Sequence, residues 1–149
     1  MSDPMRRHEG APALLPLSLP EDRVDRIVLV CIRRMAAHGI RDAHAAWLAL
    51  DTFGVHFRRP LVLLRAFLVE LAQASHRSIK IAPCCAMRMT EDEGRIVEIL
   101  KTAESNLASA EATLMLLTRS CAVGEPLSAA AVFSRSLSEL SPKLTAQRA

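Results

Sequence analysis

Apolar residues recur along this chain at helical spacing, and the places where the spacing lapses divide it into segments. Val24, Ile27, Val28, Cys31, Ile32 and Met35 fall at i, i+3, i+4, i+7, i+8 and i+11, one face of a helix. Pro20-Glu21-Asp22 suits its first turn, where proline is tolerated and acidic groups favour the positive end of the dipole. Gly39 is its stop. Asp42 caps a second helix, with Ala43, Ala46, Trp47 and Leu50 expected to face inward and an end near Phe53-Gly54. Pro60 opens a third, running to about Ser75, whose Leu, Val, Ala and Phe residues surround almost the whole cylinder. A helix apolar on every side belongs in the middle of a fold. Arg65 and Glu70 interrupt it. Five residues apart, they point in different directions and do not pair with each other, so each is expected to snorkel to an edge.

From about residue 76 to 90 the helical period is lost, which predicts a long crossover loop. Ser78-Ile79-Lys80-Ile81 alternates polar and apolar, and Ala82 before Pro83 is pushed towards extended backbone. Thr90-Glu91-Asp92-Glu93 then has the capping-box pattern, with Thr at the cap and Glu three later. Ile96, Leu100, Ala103, Leu107, Ala110, Leu114, Leu117 and Cys121 follow at alternating spacings of four and three, which is a coiled-coil seam. The pattern predicts one helix over about 91–121, with Gly124 as its stop and a length of roughly 45 Å at 1.5 Å per residue. The seam from Ile96 to Leu117 is therefore the expected interface with a second subunit, or with a last helix from about Ser128 to Leu140 that Pro142 ends.

Composition narrows the class. Half of the 149 residues are hydrophobic, only 3% are aromatic and five are Gly, so an aliphatic all-α bundle of about five helices is favoured over a sheet. The expected organisation is an N-terminal arm over 1–19 carrying three prolines, one helical domain over 20–141, and a tail over 142–149. Pro12, Pro16 and Pro20 also break the apolar run that an export signal needs, and no run has the length and apolarity of a membrane span. The cytoplasm, with reduced thiols, is the expected location. The formal charge of +3 is carried mainly by Arg, and the pairs Arg6-Arg7, Arg33-Arg34 and Arg58-Arg59 read as solvated helix ends. No aromatics stack nearby and no helix offers a polar reading face, so nucleic acid is not the expected partner.

Candidate chemistry gathers in Ile81-Ala82-Pro83-Cys84-Cys85-Ala86-Met87-Arg88-Met89-Thr90-Glu91-Asp92-Glu93. A metal site on Cys84 and Cys85 would draw further ligands from His76, Cys121 or Cys31, with zinc or iron as the ion. Adjacent cysteines fit poorly there, because zinc sites space paired cysteines by two to four residues. A redox site would use Arg88 and the helix start to lower a thiol pKa, against the opposing charge of Glu91, Asp92 and Glu93. Packing without chemistry is the third reading. The 81–93 stretch resembles a family of small helical bacterial proteins of unknown function, which implies neither activity nor cofactor. The residues name no catalytic group. They favour a non-enzymatic interaction or regulatory protein that self-associates through the seam, with a thiol-based metal or redox module on Cys84 and Cys85 as the alternative.

Overall fold

The structure is a computed structural model and describes residues 15–148, so most of the expected arm, residues 1–14, lies outside the described residues. It is an all-α bundle. The helices are α1 (Arg23–His38), α2 (Ala43–Phe53), α3 (Arg58–Ala74), α4 (Glu91–Thr102), α5 (Leu107–Thr118) and α6 (Gly124–Arg148), with a 3-10 turn at Gly54–His56. One two-residue antiparallel pairing joins β1 (Leu17–Ser18) to β2 (Arg88–Met89), in register Leu17 to Met89 and Ser18 to Arg88.

Local signals set the first boundaries. Asp22 accepts from the Asp25 N–H and caps α1, whose C-terminal Gly39 sits at φ +100. Asp42 caps α2 through the Ala45 N–H. The Thr90–Glu93 capping box forms in full at α4. The main core takes Val28, Ile32 and Met35 from α1, Leu64, Phe67 and Leu71 from α3, Ile96 and Ile99 from α4, Leu114 and Leu117 from α5, and Leu127 and Phe133 from α6.

Four expectations are corrected. The helix over 91–121 is two helices, because α4 ends at Thr102 and Asn106 starts α5 by accepting from the Ser109 N–H. α5 stops at Arg119, which takes the left-handed conformation at φ 53, whereas Gly124 begins α6 with Pro126 in its first turn. Pro142 lies inside α6, which continues to Arg148; proline removes one hydrogen bond there, and the helix end tolerates that loss. α2 is turned the other way, with Ala45, Ala49 and Phe53 buried, Trp47 59% exposed and Leu50 exposed.

α3 is also not enclosed. It packs chiefly along α6 through Leu61, Leu64, Phe67 and Leu71, while Val62, Ala66 and Val69 face outward. Being apolar all round did not bury it, because neighbours cover only one side.

Candidate functional site

Residues 75–90 cross from α3 to α4 as a strap, and charged side chains fasten it. Arg33, read from the sequence as a solvated helix end, is 2% exposed. Its Nε and Nη2 donate to the two carboxylate oxygens of Glu93 at 2.8 and 3.0 Å. Its Nη1 donates to the Ala86 carbonyl and its Nη2 also to the Arg88 carbonyl, both at 2.8 Å. Glu93 accepts in addition from the Ala82 and Thr90 N–H groups. One buried ion pair therefore satisfies four backbone groups of the strap, the arrangement that a buried charge requires.

A second clamp holds the start of the strap. Arg77 donates from both terminal nitrogens to Asp92 at 3.0 Å and also to the Leu117 carbonyl, and the Lys80 N–H donates to Asp92 at 2.8 Å. Burial pushes the Asp92 carboxyl up, but the Arg77 and Lys80 hydrogen bonds with the charges of Arg77 and Arg95 outweigh it and leave the group below its ordinary value. The acidic opening of α4 is thus occupied by the protein itself.

The cysteines sit where these clamps leave the strap free. The Ala86 N–H donates to the Pro83 carbonyl at 3.0 Å, closing a turn with Cys84 and Cys85 at its two corners. Cys85 is exposed and Cys84 intermediate. Beside Cys84 lies Arg34, which is bound in bidentate fashion to Asp42 at 2.9 and 3.1 Å. The hydrogen bond to Asp42, and after it the Cys84 side chain, hold the Arg34 pKa up. Asp42 in turn is held down to about 2 by the Arg34 hydrogen bond, against burial and with help from the Ala45 N–H.

The ligand set expected from the sequence is not gathered: among the described residues, no three His, Cys, Asp or Glu side chains come together to hold a metal ion. His76 is exposed at the strap's start, its N–H bonded to the Thr118 carbonyl, and Cys121 is exposed on the link after α5. Cys31 is buried, near the Ala45 carbonyl at 3.6 Å, and burial followed by the Asp42 charge pushes its thiol up to about 11.

The expected subunit seam is consumed within the chain. Ile96, Leu100, Ala103, Ala110, Leu114 and Leu117 are buried in the main core, and only Leu107 is exposed, at 51%. The reason is the break after Thr102: α4 and α5 pack on each other and on α6, so a pattern drawn for one long helix serves a hairpin.

The outer face of α3 is open. Val62, at 57% exposed, Ala66, Val69, at 39%, and Gln73 are spaced by four, three and four. Arg65 and Glu70, both half-buried, flank this stripe on opposite sides. The Arg65 Nε is buried without a hydrogen-bond partner among the described residues. Val69 and Ala72 also border an apolar groove of about 290 Å³ lined by Ile32, Met35, Leu68, Ile79 and Ile81. Among the described residues, no helix is long and apolar enough to cross a membrane.

Residues 6–144 match the model of a family described as a family of unknown function (DUF6628). No curated protein and no solved structure matches.

Proposed function

The chain belongs to the DUF6628 family, and from that premise we propose that it is a non-enzymatic interaction protein that pairs with a second copy of itself through the outer face of α3. The observation that carries this is the exposed Val62, Ala66, Val69, Gln73 stripe with Arg65 and Glu70 on its two flanks. That is a d, a, d, a run with Arg at g and Glu at the following e. In a parallel pair of helices, a g residue meets the e residue five positions later on the partner, so the interval that keeps Arg65 and Glu70 apart within one helix brings them together between two. A twofold axis parallel to α3 makes two such pairs. An antiparallel pairing would set Arg65 against Arg65 and Glu70 against Glu70, so the charges choose the orientation.

Ala66 at the centre lets the two backbones approach closely. Val69 and Ala72 carry the apolar surface on into the adjacent groove. A contact built on one short stripe belongs to the small, reversible class of interfaces, below about 1,200 Å². Four free cysteines suit a reducing compartment, and the proposal places the protein in the cytoplasm.

Sedimentation equilibrium over a concentration series tests the pairing. Arg65→Glu and Glu70→Arg should each weaken it about tenfold or more, since each turns two attractive contacts into two repulsive ones. The double variant Arg65→Glu/Glu70→Arg should restore it. A monomer up to about 1 mM, or a double variant no better than either single one, ends the proposal.

A further inference from the structure

We infer that Cys84 and Cys85 form a bidentate thiol site for a thiophilic centre that is satisfied by two sulfurs, of the trivalent arsenical class. The inference is independent of the α3 pairing and stands on the strap.

The turn from Pro83 to Ala86 is anchored at both ends. On one side Glu93 accepts the Ala82 N–H, and on the other Arg33 holds the carbonyls of Ala86 and Arg88. Between these fixed points the two thiols occupy the turn's corners, outside the hydrophobic core. Cys31 shows the contrast: buried, near a carbonyl and with its thiol pushed up, it is the packing cysteine of this fold.

Adjacent thiols do not close readily on each other. Successive Cα atoms across a trans peptide are about 3.8 Å apart, whereas disulfides want about 4.4–6.8 Å. All described peptide bonds are trans. One atom placed between the sulfurs enlarges the ring and relieves that constraint. The surroundings select which atom. A structural zinc centre takes four ligands, and no third His, Cys, Asp or Glu joins these two among the described residues. A trivalent arsenical R–As=O brings its own third substituent. Two As–S bonds form, the As=O bond is lost, and the oxygen leaves as water with the two thiol protons; no electrons are transferred. The exposed Cys85 is the sulfur that an incoming arsenical meets first, and the half-buried Cys84 beside it then closes the ring.

Phenylarsine oxide, titrated into the reduced full chain with thiol counting, is the test. One equivalent should remove two of the four thiols, and a dithiol but not a monothiol should release it. Cys84→Ser and Cys85→Ser should each weaken binding by about 100-fold or more, because a chelate becomes a single bond. Cys121→Ser should bind as the parent does. Binding that survives in either Cys84→Ser or Cys85→Ser, or that is lost with Cys121→Ser, overturns the site. So does tight uptake of one zinc ion by Cys84 and Cys85.

Discussion

Replacing Arg33 by Met should unfasten the strap at its anchor. The side chain is fully enclosed, with 1% exposure for Arg33 and 0% for Glu93, so water cannot take over when the guanidinium is removed. Glu93 would keep the Ala82 and Thr90 N–H groups but lose its countercharge, and the Ala86 and Arg88 carbonyls would lose their donor. Breaking a buried pair from one side costs about 3–5 kcal/mol, a large part of the roughly 5–15 kcal/mol that keeps a domain folded. For a chain of this size that lowers Tm by roughly 10–20 °C. The exposed pair Arg59–Glu139, with side chains 61% and 50% exposed, is the internal control, and Arg59→Ala should change stability by about 0.5 kcal/mol at most. Denaturant unfolding measures both, and amide exchange at Ala82 and Thr90 shows whether the loss is local to the strap. A loss under about 1 kcal/mol for Arg33→Met, with an unchanged denaturant slope, would refute the assignment of Arg33–Glu93 as the fastening.

Two other contacts have measurable outcomes of their own. The Asp42 carboxyl is held down to about 2, so its contribution is present above the ordinary carboxylate range and fades as pH falls from about 4 towards 2; Asp42→Asn should flatten acid unfolding in that window. An unchanged acid profile would remove Asp42 from the account. Gly94 in α4 lies against the tip of the Leu17 side chain of β1, which a Cβ there would displace. Gly94→Ala should gain up to about 1 kcal/mol of helix propensity yet push residues 15–19 off the body, read as faster proteolysis of that segment at an unchanged or higher Tm. Equal cleavage rates would show that the Leu17 contact does not hold the segment.

Much of the secondary structure was legible because its signals are local. Gly39, Asp42 and the Thr90–Glu93 box each act within four residues, and each does in the fold what the pattern predicts; Asp22, expected inside the first turn of α1, instead caps it from outside. The seam misled because the break after Thr102 preserves its phase: Ile96, Leu100 and Ala103 before it and Ala110, Leu114 and Leu117 after it all reach the core, from two helices instead of one. Asn106, three residues before Ser109, carried the cap signal that divides them. Trp47 and the outer face of α3 were misplaced because periodicity names an apolar face without saying whether a neighbour exists to cover it. Arg33 was beyond reach for a related reason, since its partner lies 60 residues away. Leu29, buried one turn before Arg33 and off the main apolar face, was the trace of a second buried side on α1.

α6 has a consequence for how the chain is made. It is 25 residues long and touches α3, α4 and α5, so the core that those three share lacks one wall until it arrives. At about 5–20 residues per second, its synthesis takes roughly 1–5 s. For that interval Phe67, Leu114 and their neighbours wait on surfaces that have nothing to cover them. A nascent chain stopped before residue 124 should therefore recruit chaperones, and the quality of this fold is decided late.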